Sequence, residues 1–306
     1  MKILSLFNGI SALHLACDRA GIQVDTCYYA EIDKYANKVT EKHYPNDIAL
    51  GDVTKWREWD IDWSEIGLVG AGFPCQAWSV AGKQLGDKDE RGMLFWTTLE
   101  IVAHVLKHNP SAKFLMENVK MKKDFEQYIT HHTEQALGKV EKTLINSALV
   151  SAQNRQRYYW TNFKVSQPDD KGIFLKDILE DGFNDREKSQ TILATIYKEN
   201  AKSMVKRNKM GLVVGGAIRG RYNEDGAISQ RLELNGMEKT NTLTTVQKDN
   251  VAVYEDMTYR KLTPIECERL QTFSDGWTDS VSNTQRYKAL GNAWTVDVIV
   301  HILKHI

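Results

Sequence analysis

Short apolar runs alternate with amphipathic stretches through the first half of the chain. Ile3 to Phe7 is a compact apolar run stopped by Asn8-Gly9, which reads as a buried strand. Ser11 to Ala20 follows with Ala12, Leu15, Ala16 and Ala20 at helical spacing. Thr26 to Ala30 is a second strand, and Asp33 to His43 a helix that stops before Pro45. Ile48 to Leu50 and Ile66 to Ala71 predict a third and fourth strand, Met93 to Leu106 a long helix, and Lys113 to Met116 a fifth strand. Lys142 to Val150 and Tyr158 to Phe163 are expected to pair as a hairpin. Strands alternating with helices imply an α/β fold built on a mostly parallel sheet.

The pattern changes after about Gln167. Segments shorten, and Gly211, Gly215, Gly216, Gly220, Gly226 and Gly236 punctuate them. Leu212 to Ile218, Thr240 to Val246 and Val251 to Tyr254 are the expected strands of a smaller, less regular domain. From Thr263 the chain is helical again, and Val296 to Leu303 forms an apolar helix expected to pack back on the first domain. The expected division is 1–167 completed by 278–306, with 168–277 as the second domain. The length of 306 residues fits a prior of about two domains.

Composition narrows the class. At 42% hydrophobic and 26% charged residues the chain reads as globular, and no run of about 18 apolar residues predicts a transmembrane helix. The run Met1 to Phe7 is too short for a signal peptide. The cysteines are Cys17, Cys27, Cys75 and Cys267, with no C-x-x-C pair, so neither a zinc site nor a disulfide framework is expected and the cytoplasm is the default location. Net charge is zero, which weighs against a small basic nucleic-acid binder, but Lys198 to Arg221 also carries Lys202, Lys206, Arg207, Lys209 and Arg219 against Glu199 alone. That run is either a solvated face or a phosphate-neutralising one.

Ligands of open parallel sheets sit at the carboxyl ends of the strands. Phe7-Asn8-Gly9, Glu31, Asp52, Pro74-Cys75-Gln76 and Glu117-Asn118-Val119 follow the first five strands in turn, so the five ends imply one shared crevice. Gly9 permits a tight turn, and Glu31 stands where nucleotide-binding folds place a carboxylate for ribose hydroxyls. Ser11 stands where a second glycine of a pyrophosphate loop would be, which disfavours a nicotinamide cofactor. Asp52 is suited to accept from an adenine amino group; singly, Glu31 and Asp52 would pass for surface or capping acids. A lone cysteine is ordinarily a small buried hydrophobe. Cys75 instead lies in a Gly72-Phe73-Pro74-Cys75-Gln76 loop, with Glu117 as an acid on the neighbouring strand. A thiolate, a carboxylic acid and an adenosine-bearing donor suit methylation of cytosine C5. The thiolate adds at C6 and makes C5 nucleophilic, while the acid serves N3.

These residues resemble the cytosine-5 DNA methyltransferases over nearly the whole chain and in the family's motif order. Gly72 to Gln76 resembles the nucleophile loop, which assigns Cys75 as nucleophile. Glu117-Asn118-Val119 is similar to the family's ENV motif, which implies that Glu117 meets the base at N3. Gln153-Asn154-Arg155-Gln156-Arg157 resembles Q-x-R-x-R, implying Arg157 on the base and Arg155 as a phosphate or structural contact. Arg260 to Gln271 and Gly291-Asn292-Ala293 are similar to the motifs that organise the small domain and close the cofactor pocket. The resemblance implies a Rossmann-like S-adenosylmethionine-dependent methyltransferase fold with a target-recognition domain. It implies Phe7, Gly9, Ile10, Ser11, Glu31, Ile32, Asp52, Val53, Pro74, Leu94 and Asn292 as contacts to S-adenosylmethionine, which leaves as S-adenosylhomocysteine. Ser11 departs from the usual F-x-G-x-G and predicts an altered loop shape.

The implied partner is double-stranded DNA with its cytosine flipped out, bound by a monomer whose cognate restriction endonuclease would act separately. Gln76, Ser79, Asn118 and Arg155 are the candidate DNA contacts of the large domain, and Arg219, Arg221, Gln230 and Arg231 those of the small one. The arginines would read guanine or touch phosphate only. Gln84 to Arg91 is expected to be a mobile loop closing over DNA. An RNA cytosine-5 methyltransferase and a non-catalytic DNA-binding regulatory relative are the competing readings.

Overall fold

In a computed structural model, the described residues are 1–74, 90–181, 187–192, 194, 198, 212–213, 216–222, 228–233, 250–251 and 260–306. By their internal packing they divide into two units. Met1–Ser147, Gln156–Asp169 and Ala293–Ile306 form the first, and Ala148–Arg155 with Asp170–Asn292 the second. The chain therefore returns to the first unit at Ala293, where the sequence pattern had suggested residue 278.

The first unit is built on seven strands: β1 (Lys2–Leu6), β2 (Thr26–Ala30), β3 (Ile48–Ala49), β4 (Ile66–Ala71), β5 (Lys113–Val119), β6 (Glu141–Asn146) and β8 (Gln156–Thr161). Their order is β3-β2-β1-β4-β5-β8-β6. The β1–β2, β1–β4, β2–β3 and β4–β5 pairs are parallel, and β8 runs antiparallel to both of its neighbours. Strand order thus reverses at β1, so loops leaving the carboxyl ends of β1 and β4 diverge and open a crevice between them. The helices are α1 (Ala12–Ala20), α2 (Lys34–His43), α3 (Glu90–His108) and α4 (Lys123–Leu137). After them, α5 (Pro264–Leu270) and α6 (Asn283–Asn292) belong to the second unit, and α7 (Val296–Leu303) to the first.

Burial explains why the strands read as unbroken apolar runs. Ile3, Leu4, Leu6, Ile66, Leu68, Phe114, Leu115, Met116 and Trp160 are essentially inaccessible, as expected for a sheet covered on both faces. Leu4, Leu6, Val69, Phe114, Met116 and Trp160 pack with Phe95, Leu99 and Val102 of α3 and Ile129 of α4. On β4 a Cβ at Gly70 would fall 2.6 Å from Leu13 Cδ2, so the absence of a side chain there is what lets α1 lie close on the sheet. Helix α7 joins α1 through Arg19 Nη1, which donates to Asp297 at 3.0 Å.

Three elements depart from the sequence pattern. Helix α4 went unpredicted because its first turn is polar and its buried positions, Glu126, Ile129 and Thr133, include only one aliphatic residue. Strand β5 runs on through Glu117, Asn118 and Val119, which pair with Tyr159, Tyr158 and Arg157 instead of following the strand. Helix α3 begins at Glu90, three residues before Met93.

In the second unit, β7 (Gln153–Asn154) pairs parallel with β9 (Ser189–Gln190), and β10 (Leu212–Val213) antiparallel with β14 (Arg260–Lys261). A hairpin of β11 (Gly216–Tyr222) and β12 (Ile228–Glu233) takes a third strand, β13 (Asn250–Val251). The expected strand at 240–246 lies outside the described residues. Helix α5 starts on a capping box. Thr263 Oγ1 accepts from the Glu266 N–H at 3.1 Å, and the Glu266 carboxylate accepts from the Thr263 N–H at 2.8 Å. Pro264 opens the helix, where no N–H is needed. Glu268, fully buried, accepts from the N–H groups of Gly276 and Thr278, from the Thr278 hydroxyl, and from Arg286 at 2.9 Å.

Removing that carboxylate strands the Arg286 guanidinium, itself only 13% exposed. Glu268→Ala is therefore expected to destabilise the protein by about 3–5 kcal/mol, read as a lower urea midpoint.

Candidate functional site

The turn from β1 into α1 is shaped by three residues with positive φ: Phe7 at 56°, Gly9 at 58° and Ser11 at 64°. The left-handed region costs an L-residue about 1–2 kcal/mol, so Ser11 needs compensation. It comes from a buried polar knot in which the Ser11 hydroxyl donates to Thr40 Oγ1 at 2.8 Å and Asn8 Nδ2 donates to both hydroxyls. The hydroxyl at position 11 is thereby used to tie the turn to α2. Ile10 and Ser11 are 1% and 0% exposed, so neither side chain offers surface to a ligand, contrary to the expectation for both.

Glu31, at the carboxyl end of β2, braces the same turn. Its Oε2 accepts from the Gly9 N–H at 2.9 Å and its Oε1 from the N–H groups of Ile32 and Asp33 at 2.8 Å each. The carboxylate links two strand ends and retains lone pairs for further donors. Beside it Ile32 is 78% exposed, an apolar side chain left open among the described residues. Asp52 caps the short 3-10 helix Val53–Glu58, its Oδ1 accepting from the Thr54 N–H and hydroxyl at 2.9 and 2.8 Å. No bond to Oδ2 is found among the described residues. Val53 is buried, Pro74 partly so, and Leu94 packs partly buried against the α3 side of the core.

The second cluster lies at the carboxyl ends of β4 and β5. Glu117 Oε1 meets Arg157 Nε at 2.9 Å, and Glu117 Oε2 accepts from Trp294 Nε1 at 3.0 Å. The carboxylate side chain is 11% exposed and the guanidinium 13%. Arg157 reaches Glu117 because β8 runs antiparallel beside β5, placing Arg157 opposite Val119. Trp294 lies directly after the Gly291-Asn292-Ala293 motif, yet nothing in its spacing marked it. An indole is ordinarily read as core, and only the fold brings it to an acid 177 positions away. Asn118, expected to meet DNA, is 1% exposed. It donates to the Phe73 carbonyl at 3.1 Å and accepts from the Val119 N–H, so it fastens the loop leaving β4 to β5.

Arg155 is 4% exposed and donates to the carbonyls of Ile192 and Gly291 inside the second unit, which matches the structural one of its two expected roles. Asn292, also in the second unit, is exposed. Cys75, Gln76, Ser79 and residues 84–89 lie outside the described residues, as do the side chains of Arg219, Arg221, Gln230 and Arg231. The backbone register of the hairpin sets Arg219 opposite Arg231, Gly220 opposite Gln230 and Arg221 opposite Ser229. Cys17, Cys27 and Cys267 are buried, and burial pushes their thiols up, that of Cys17 to about 12. None of these three can act as a thiolate near neutral pH. Among the described residues no helix is long and apolar enough to cross a membrane.

Residues 1–306 match the model of the family described as C-5 cytosine-specific DNA methylase. The chain is 31% identical to Type II methyltransferase M1.ScrFI of Lactococcus lactis subsp. cremoris, over 97% of this chain and 76% of that protein. It is 31% identical to Type II methyltransferase M.NlaX of Neisseria lactamica, over 97% and 93%. The structure of the Entamoeba histolytica methyltransferase EhMeth aligns with a TM-score of 0.68 at 14% identity, covering 100% of this chain and 97% of that one, which speaks for the Rossmann-like methyltransferase fold.

The Asn118 fastening has a measurable weight. Asn118→Ala would leave the Phe73 carbonyl and the Val119 N–H without their partner, and a loss of about 1–3 kcal/mol in urea unfolding is expected.

Proposed function

The chain belongs to the C-5 cytosine-specific DNA methylase family, and on that premise we propose that it methylates C5 of a flipped cytosine in duplex DNA through a thioether between Cys75 and C6. The observation that carries this reading is the fastening of Phe73, two residues before Cys75, to the strand that bears Glu117. Phe73 precedes Cys75 by two residues in the sequence, which supports a reading in which Cys75 and Glu117 serve the same base. The buried, raised thiols of the other three cysteines support Cys75 as the nucleophile.

The residues at the β1 and β2 ends suit S-adenosylmethionine. Glu31 has lone pairs for the ribose hydroxyls, Ile32 an uncovered apolar face for adenine, and Asp52 an acceptor for its amino group. Phe7, Gly9, Val53, Pro74, Leu94 and Asn292 complete the proposed cofactor contacts. When bound, S-adenosylmethionine supplies an electrophilic methyl group to the base and departs as S-adenosylhomocysteine.

The chain's residues do the rest. The Cys75 thiolate adds to C6, and Glu117 delivers a proton to N3, which neutralises the ring as sulfur adds. C5, now an enamine carbon, attacks the methyl group. Loss of the C5 proton to a base, expulsion of the Cys75 thiolate and return of the N3 proton to Glu117 restore the neutral aromatic ring. Arg157 holds Glu117 and faces the base oxygen. Gln76 and Ser79, which follow the nucleophile in the sequence, are the proposed contacts of the large domain to DNA. Arg219, Arg221, Gln230 and Arg231 are the recognition-domain contacts. The relatives' names support a Type II modification role; a separately acting endonuclease, a cytoplasmic location and a monomeric state are proposed with it.

Incubating the protein with S-adenosylmethionine and duplex DNA containing 5-fluorocytosine should give a denaturation-resistant adduct that maps to Cys75. Active enzyme without an adduct would overturn the covalent route, and transfer to tRNA but not duplex DNA would overturn the substrate. Glu31→Gln keeps the size of the side chain but lacks the charge that the ribose hydroxyls meet. Its KM for S-adenosylmethionine should rise about tenfold, the cost of one hydrogen bond to a charged group, with the KM for DNA little changed.

A further inference from the structure

We infer that Trp294 is a positioning residue for Glu117: its indole N–H fixes one carboxylate oxygen while Arg157 fixes the other. The inference rests on the proposed reaction and deepens it. A carboxylate on a single donor pivots about that bond, and two donors on different oxygens fix its plane. Glu117 has both, Arg157 Nε at 2.9 Å on Oε1 and Trp294 Nε1 at 3.0 Å on Oε2. The two donors also differ in kind. The guanidinium is charged under all working conditions, whereas the indole is a neutral donor that cannot accept, so it orients the oxygen without competing for the proton Glu117 must pass on.

Two further features are arranged around the indole. A Cβ at Gly72 would lie 2.7 Å from Trp294 Nε1 and 3.1 Å from Cε2, so the ring lies flush on the backbone of the loop leaving β4, and only glycine leaves room. The residue after Trp294 is anchored too: Thr295, 1% exposed, shares a 2.9 Å hydrogen bond with the Ser147 hydroxyl beside β6. The indole thus touches the base of the loop that leads to Cys75 and the acid on β5, from a backbone tied to the sheet.

The test compares wild type, Trp294→Phe and a variant carrying the benzothiophene isostere of tryptophan at 294, with thermal unfolding as the folding control. The isostere keeps the shape that packs on Gly72 and lacks only the N–H. Single-turnover methyl transfer and 5-fluorocytosine adduct formation should slow by about 10- to 100-fold in both variants, the equivalent of one hydrogen bond to a charged group. KM for S-adenosylmethionine and for DNA should stay within about threefold, because the N–H acts on the bound base only through Glu117. Gly72→Ala, which pushes the ring away with its N–H intact, should give the same split. Wild-type rates with the isostere would overturn the assignment while leaving the proposed reaction standing. A wild-type enzyme that forms neither product nor adduct would overturn both.

Discussion

A parallel sheet that changes winding direction at β1 imposes the condition from which the site follows. Hydrogen bonding fixes β1 between β2 and β4, and the connections must then leave its carboxyl end on opposite sides. Several polar contacts of this unit lie at those strand ends. Glu31 reaches back to Gly9 because β1 and β2 are in parallel register, with Leu6 opposite Ala30. Asn118 reaches Phe73 because β4 and β5 are also parallel and adjacent. The antiparallel insertion of β8 beside β5 adds what parallel strands alone would not, a guanidinium delivered from the opposite direction onto Glu117.

Much of this was legible in the sequence where burial and periodicity coincide. The strands at Ile3, Thr26 and Ile66 announce themselves because both faces are covered and nearly every position is apolar. The helix 123–137 was silent because its inward face carries Glu126 and Thr133. Their polarity is met by Lys142 and by the backbone, partners that only the fold supplies. The site divides in the same way. Glu31 and Glu117 could be picked out by their place after or within a strand, since carboxylates near strand ends are cheap to notice. Asn118 and Arg155 looked equally eligible to touch a ligand. They are instead buried and spent on backbone carbonyls, which side-chain chemistry alone does not distinguish from contact with phosphate. Trp294 was illegible because an indole carries no charge and its partner is fixed by the C-terminal segment's return to the sheet.

Ser11 illustrates how a departure from a family pattern can be structurally closed. A left-handed backbone normally calls for glycine, and here a serine takes it with φ at 64°. The turn keeps its shape because the hydroxyl enters a buried set with Asn8 and Thr40, so one residue meets both the conformational and the polar demands of the turn. The proposed cofactor contacts next to this turn are then Gly9, Glu31 and Ile32.

The pairing of α1 with α7 has a kinetic meaning. Arg19 and Asp297 are 278 positions apart, so the first unit stays without a helix on that face until nearly all of the chain has been made. During synthesis at about 5–20 residues per second the ribosome spends some tens of seconds with α1 uncovered. Contacts of such separation also slow folding, since a long loop must close before they form. The fold of the first unit is therefore completed by an element that emerges long after the sheet it caps.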